Sequence, residues 1–222
     1  MATLDIETAR RIVDGIAILL MSTALASVLT RRLDRSIYLL ALQGLLLAAA
    51  TTVVALKTGT GHAYFAVALT VAVKVLLVPG ILLYALHEIR IKREIEVVLS
   101  RRLTFPLAVG LIMLAYYVAG PYASLDGFLA RNALPAAMST LLIGLLTMLT
   151  RKKALCQVAG IVAMENGLYL MAVVATQGLP LAVELGVAVD VVVGVLVMGV
   201  FARQIHRTFD STNTDRLQSL RG

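Results

Sequence analysis

The chain of 222 residues is poor in charge and in cysteine. Charged side chains make up 15% of it, 59% of its residues are hydrophobic, and it holds one cysteine, Cys156. One cysteine cannot form an internal disulfide, and no Cys-x-x-Cys pair or cluster of histidines offers a ligand set for zinc or an iron–sulfur cluster. We therefore expect neither a cofactor nor a metal site, so that any associated redox chemistry takes place in another protein.

Motifs of nucleotide binding and hydrolysis are missing as well. The sequence has no Walker loop, no dinucleotide fingerprint, no HExxH and no Gly-x-Ser-x-Gly. We predict no catalytic residue and no catalytic centre within this chain. Its first residues, through Asp14, mix acidic and basic side chains and so lack the basic start and the cleavage site of a secretory signal. We expect the chain to be retained whole.

The sequence has instead seven long apolar segments. An α-helix needs about 20 apolar residues to cross about 30 Å of hydrocarbon, and no polar stretch is long enough for a separate soluble domain. The predicted fold class is therefore all-α: a polytopic protein of the lipid bilayer with about seven transmembrane helices. The predicted spans lie at about 12–30, 36–56, 63–87, 103–121, 128–149, 154–177 and 179–202.

Basic residues are concentrated on one side of these spans. Most of the 20 Lys and Arg residues follow spans 1, 3, 5 and 7, and few follow the even-numbered spans. By the positive-inside rule, we predict a multi-pass protein of the cytoplasmic membrane with its N-terminus outside and its C-terminus in the cytoplasm. Topology thus explains the net charge of +7. Because no basic–aromatic groove pattern accompanies it, we expect no nucleic-acid partner.

Two short motifs recur in the two halves of the chain with nearly the same offset. Leu29-Thr-Arg-Arg32 matches Leu149-Thr-Arg-Lys152, and Val71-Ala-Val-Lys74 matches Val187-Ala-Val-Asp190. Their shared order predicts a parallel three-helix internal repeat, a feature of many membrane transport folds. Spans 5–7 would repeat spans 1–3, and span 4 would restore the orientation between them.

This repeat divides the chain into three parts. Residues 1–102 form the predicted first three-helix unit with a cytoplasmic loop. Residues 103–127 form the linking span 4, and residues 128–222 form the second unit with a cytoplasmic tail. Membrane transport folds built from such repeats have their sites at mid-depth.

Three ionisable side chains, Lys74, Glu165 and Asp190, fall near the middle of predicted spans. A charge at this depth costs roughly 2.5–3.5 kcal/mol on the insertion scale and usually marks a functional site. We expect these residues to belong to a proton or ion pathway. The competing interpretation is structural: each charge is locked to one partner on another helix or subunit, and Lys74 is simply the counter-ion of an acid.

Polar neighbours accompany these three residues. Asn166 and Tyr169 follow Glu165 in span 6, and Tyr169, at i+4, shares its helical face; both could hydrogen-bond the carboxylate or hold a water beside it. Gln43 in span 2 lies near the place where the repeat would put Glu165, so the first half lacks the equivalent acid. Glu184 is a candidate outer stop on the pathway, although an acid near a helix end often reaches the interface by itself.

A proline follows the buried lysine of span 3. Pro79 has no N–H and lies five residues after Lys74, so in an α-helix the Val75 carbonyl loses its usual donor. A kink and a bare carbonyl beside an ionisable group suit a hydrated path, because irregular backbone at membrane depth is tolerated where it lines a wet cavity.

Segments of the second half resemble a known family. The stretch Gly160-Ile-Val-Ala-Met-Glu-Asn-Gly-Leu168 is followed by Asp190-Val-Val-Val-Gly194 and by an end that reads Phe209-Asp-Ser211 and Leu220-Arg-Gly222. Over about residues 133–222, this pattern is similar to the K subunit of bacterial respiratory complex I. Taken over its whole length, the chain resembles membrane component E of hydrogenase-4-type complexes, which are group 4 nickel–iron hydrogenase assemblies.

The resemblance implies roles for two residues. The K subunit has three spans with glutamates in the second and the third, so Glu165 would stand for the first of these and Asp190 for the other. The sequence departs from the family twice. The third-span acid is an aspartate, whose shorter reach would need a closer neighbour, and the first half carries Lys74 with no acid to match Glu165.

The resemblance also implies a function. The chain would be a non-catalytic membrane subunit, packed between antiporter-like subunits and the rest of a membrane arm. It would pass protons, or sodium ions, along buried charges, coupled to redox chemistry in partner subunits. Two alternatives remain open: a structural adaptor that docks antiporter-like subunits without conducting ions, and a stand-alone small ion transporter.

Overall fold

The computed structural model describes residues 6–58, 61–88, 98–123 and 132–175, together with Gly194. Over these ranges the chain forms helices and no strand, which confirms the all-helical prediction. The helices are α1 (Ile6–Leu29), α2 (Leu33–Thr58), α3 (Gly61–Thr70), a π-helical segment (Val71–Leu77), α4 (Val78–Glu88), α5 (Arg101–Ala123), α6 (Ala133–Thr150) and α7 (Ala154–Ala175).

Six helical stretches of 18 to 24 residues are long and apolar enough to cross a membrane. They correspond to the first six predicted spans, and α3, the π-helical segment and α4 together make the third. The seventh predicted span, 179–202, lies outside the described residues apart from Gly194. The count of seven helices and the internal repeat, which needs that span, therefore stay predictions.

Consecutive spans alternate in direction. Three-residue turns join α1 to α2 and α6 to α7, so each pair forms an antiparallel hairpin. The Asn132 N–H donates to Asp14 Oδ1 (2.8 Å), which places the start of α6 beside the first half of α1. The Val98 N–H donates to the Thr150 carbonyl (2.8 Å), which places the start of α5 beside the end of α6. We call the two ends of the bundle the Asn132 end and the Arg151 end.

The closest helix pair is α6 with α7, and glycines allow it. An ideal Cβ on Gly160 would lie 2.6 Å from the Met148 nitrogen, and one on Gly167 would lie 2.5 Å from the Leu141 nitrogen. A Cβ on Gly144 would likewise collide with the α7 backbone. Small residues that let backbones touch are the usual basis of helix association in membranes, where burial of apolar surface gives no driving force.

An apolar cluster fills the Arg151 end between α2, α4 and α7. All of its members are buried, and the thiol of Cys156 is the most polar group among them. We call it the Arg151-end cluster; it consists of Leu33, Ile37, Leu40, Val78, Leu82, Ala85, Leu86, Leu155, Cys156, Val158, Ala159, Val162 and Ala163.

Arg151 is buried where α6 ends. Its guanidinium donates to the carbonyl oxygens of Val28 (2.5 Å) and Thr30 (3.2 Å). The last carbonyls of a helix have no intrahelical donor and carry partial negative charge, so Arg151 caps α1. Burial lowers the pKa of Arg151 from its usual value. Sequence reasoning counted this residue only as one of the loop charges that set topology.

Candidate functional site

Lys74 and Glu165 form an ion pair in the middle of the bundle. The Lys74 ammonium lies 2.5 Å from both carboxylate oxygens of Glu165, although the two residues are 91 positions apart. The side chains are only 2% and 6% exposed. The carboxylate of Glu165 therefore points into the protein and not toward acyl chains, and two of the three predicted ionisable residues come together.

Asn166 and Gln43 extend this pair toward α2. Lys74 also donates to Asn166 Oδ1 (3.1 Å), and Asn166 Nδ2 donates to Gln43 Oε1 (3.0 Å). Since an ammonium can only donate, it fixes the orientation of both amides in turn. Gln43 Nε2 is left as a fully buried donor that meets no acceptor among the residues that the structure describes.

Tyr169 lies one helical turn beyond Glu165 on the same face of α7. The Lys74 ammonium stands 5.1 Å from the centroid of its ring, within the range of a cation–π contact. The Tyr169 hydroxyl is 3.2 Å from Thr51 Oγ1 and 3.2 Å from Thr70 Oγ1. Three buried hydroxyl groups, from α2, α3 and α7, thus meet next to the ion pair.

Lys74 is carried by the π-helical segment, which ends two residues before Pro79. The last π-type hydrogen bond runs from the Val78 N–H to the Val73 carbonyl. The next one would need an N–H on Pro79, which has none, so the π register stops there. In this register the carbonyl that faces position 79 belongs to Lys74 and not to Val75, which α-helical spacing had indicated. Such π-helical turns are frequent at functional sites.

Gly44 lets α2 approach the backbone of Lys74. An ideal Cβ on Gly44 would lie 2.7 Å from the Lys74 carbonyl oxygen and 3.0 Å from the Lys74 Cβ. Any side chain at position 44 would therefore push the π-helical segment away from α2. The position of Lys74 opposite Glu165 depends on this glycine.

The structure brings together five of the seven predicted site residues: Lys74, Glu165, Asn166, Tyr169 and Gln43. The other two, Asp190 and Glu184, lie outside the described residues. Within the described ranges, no three His, Cys, Asp or Glu side chains come close enough to hold a metal ion.

Sequence reasoning missed Thr51, Thr70 and Gly44. Helical spacing offered a signal for the two threonines, because Thr70 precedes Lys74 by four residues and Thr51 follows Gln43 by eight. Both spacings place residues on a shared helical face. Threonines are common in apolar helices, where they hydrogen-bond their own backbone, so the spacing alone did not single these out.

These features define the class of the protein: a polytopic helical membrane protein with an ion pair held inside the membrane-spanning bundle. Comparison with known proteins gives the family, and the chain belongs to the hydrogenase-4 component E family. It is 32% identical to hydrogenase-4 component E of Escherichia coli over 149 residues, which cover 67% of this chain and 69% of that protein. The Shigella flexneri protein of the same name matches equally well.

Two further comparisons agree with this assignment. The chain is 35% identical to an uncharacterized protein of Mycobacterium tuberculosis over 202 residues, which cover 89% of this chain and 91% of that protein. Residues 133–222 match the family of NADH-ubiquinone/plastoquinone oxidoreductase chain 4L, which confirms the predicted resemblance of the second half. No solved structure matches the chain.

Proposed function

We propose that this chain is a non-catalytic membrane subunit of a complex-I-like assembly of the group 4 hydrogenase type. In this proposal, Glu165, Lys74 and Asp190 contribute to the movement of protons or sodium ions, driven by redox chemistry in partner subunits. The observation that carries it is the buried Lys74–Glu165 pair. The family supports the setting, since the E. coli relative is named as a hydrogenase component.

An additional proton destabilises the pair. A proton on Glu165 cancels the carboxylate charge and leaves the buried Lys74 ammonium without a charged counter-ion, although a neutral oxygen still faces it. The site then returns to the ion pair when a proton leaves on the other side. Asp190 is the proposed next carrier and Glu184 a proposed outer stop, with Asn166, Tyr169 and Gln43 as accessory polar groups.

The proposed setting includes orientation and neighbours. The excess of basic residues at the Arg151 end supports a cytoplasmic location for that end, with the N-terminus outside. Antiporter-like subunits and other subunits of a membrane arm are the proposed partners. In such an arrangement, charges at mid-depth could pass protons from one subunit to the next.

The test is proton transport by the assembled complex in membrane vesicles. Glu165→Gln and Asp190→Asn should leave the complex intact on a native gel and should abolish or strongly slow pumping. Gln at position 165 still offers an oxygen to Lys74, so the helices should stay in place. Glu7→Gln is the matched control, because Glu7 is 70% exposed near the start of α1. Normal pumping by both buried variants would contradict the proposal.

A structural adaptor is the second candidate, and the ion pair itself favours it. Lys74 and Glu165 join two different spans, as a pure packing contact would. An adaptor predicts the opposite result for the same variants: the complex is lost from the native gel, and whatever still assembles pumps at the normal rate. The two measurements together decide between the candidates.

A further inference from the structure

We propose that Thr51, Tyr169 and Thr70 form a hydroxyl relay that passes protons to and from the Lys74–Glu165 pair. This inference rests on the proposed function and adds two residues, Thr51 and Thr70, that take part.

The polar groups of the three helices that build the site lie in two layers. The first layer holds the Lys74–Glu165 pair with Asn166 and Gln43, and the second holds the three hydroxyl groups. On each helix the hydroxyl residue is displaced toward the Asn132 end: Thr51 follows Gln43 on α2, Tyr169 follows Glu165 on α7, and Thr70 precedes Lys74 on the oppositely directed α3. The shift therefore has the same direction on all three helices, although it is four residues from Lys74 and from Glu165 and eight residues from Gln43.

The three hydroxyl groups of the second layer form a continuous chain. Thr51 Oγ1 donates to the Leu47 carbonyl (2.9 Å), and the Tyr169 hydroxyl lies 3.2 Å from both threonine oxygens, where either partner can be the donor. Because a hydroxyl rotates and can both donate and accept, these bonds can reverse. A hydroxyl in such a chain can take a proton on its oxygen while it releases the one it holds, so that no covalent bond to carbon changes and no group needs to stay ionised.

A gap of one helical turn separates the two layers. Residues i and i+4 of a helix are about 5–6 Å apart at Cβ, so the step between the Tyr169 hydroxyl and the Glu165 carboxylate needs one bridging water. Such a water takes a proton from one layer and gives its own to the other. Gln43 Nε2, the buried donor without an acceptor in the described part of the chain, lies in the first layer and is a group that this water could satisfy.

Hydroxyl-deleting variants of the assembled complex test the relay. Tyr169→Phe keeps the ring under Lys74 and removes only the hydroxyl, and Thr51→Val keeps the shape of threonine. Both should assemble normally and pump at least about tenfold more slowly, the loss expected when a positioned proton donor is removed. Thr51→Ser restores the hydroxyl and should restore the rate. Tyr117→Phe is the matched control, since Tyr117 is 82% exposed on α5.

The outcomes separate this inference from the function on which it rests. Normal pumping by Tyr169→Phe and Thr51→Val, beside an inactive Glu165→Gln, would overturn the relay and leave the proposed function standing. Normal pumping by Glu165→Gln would remove both. If Tyr169→Phe fails to assemble, Thr51→Val and Thr51→Ser decide, because equal rates for these two would overturn the relay.

Discussion

The two spans that hold the ion pair are packed very differently. Of the most apolar part of α7, 67% is buried inside the protein, whereas for the span that contains Lys74 the figure is 28%. α7 lies against α6 through three glycines. The span of Lys74 is held near the site by Gly44 and by the contacts of the π-helical segment with α2. Packing therefore fixes the acid firmly and the lysine much less.

This contrast shows that the two partners of an ion pair can be held by unequal amounts of packing. A lysine has a long, flexible side chain, and on a loosely packed span both the side chain and the backbone can adjust when its partner is lost. A carboxylate on a deeply packed helix cannot. Removing the lysine and removing the acid should therefore have unequal effects, and comparing the two single variants tests this difference in packing.

The largest expected effect is that of Lys74→Met. The substitution leaves the Glu165 carboxylate buried without a cation, and breaking a buried pair in this way costs about 3–5 kcal/mol. We expect most of the complex to be lost on a native gel, whereas Glu165→Gln retains it. The double variant Lys74→Met with Glu165→Gln should regain assembly without regaining proton pumping. Equal assembly of the two single variants would contradict the unequal support of the pair.

Glycine-to-alanine substitutions should have the next largest effects. At Gly144, a methyl group collides with the α7 backbone, and overpacking of this kind costs about 1–3 kcal/mol and occasionally more. Gly44→Ala meets the Lys74 backbone instead and should cost less, because that span can yield. It should still slow pumping, since Lys74 moves away from Glu165. Resistance to unfolding in detergent measures the first effect and vesicle transport the second.

Gly110→Ala is the control for both glycine variants. An ideal Cβ at Gly110 on α5 meets nothing within 4 Å, so alanine there should be neutral or slightly stabilising because it is the better helix former. A loss of stability at Gly110 as large as that at Gly144 would show that glycine is needed for some reason other than close packing.

Gln43→Met should have the smallest effect on stability. It removes the amide whose Nε2 has no acceptor within the described ranges, and it also takes away the acceptor of Asn166 Nδ2. The substitution removes the buried Nε2 donor of Gln43 but leaves Asn166 Nδ2 without its acceptor. These two effects oppose each other, so we expect the free energy of unfolding to change by no more than about 1 kcal/mol. Thermal unfolding in detergent measures this, and a loss as large as that of Lys74→Met would show that Gln43 supports the pair directly.

Much of the candidate site was predictable from linear spacing. Glu165 and Lys74 stand out because each interrupts a long apolar segment, and Tyr169 follows Glu165 at helical spacing. The π-helical register at Lys74 was not predictable, since it follows from contacts with α2 at Gly44 together with the missing N–H of Pro79. The cap that Arg151 makes on α1 was hidden too, because a basic residue in a short turn looks like any other charge of a cytoplasmic loop.

The sequence by itself determined how deep each residue lies, because apolar length and helical rise measure distance along a membrane normal. It therefore established an all-helical membrane protein with charges at mid-depth. Only the tertiary structure decided which helices face one another, and so that Lys74 pairs with Glu165 and that Thr51, Thr70 and Tyr169 meet. The depth of a residue is set by its own helix in the membrane. Which residues face one another is set by close contacts between helices that lie far apart in the chain.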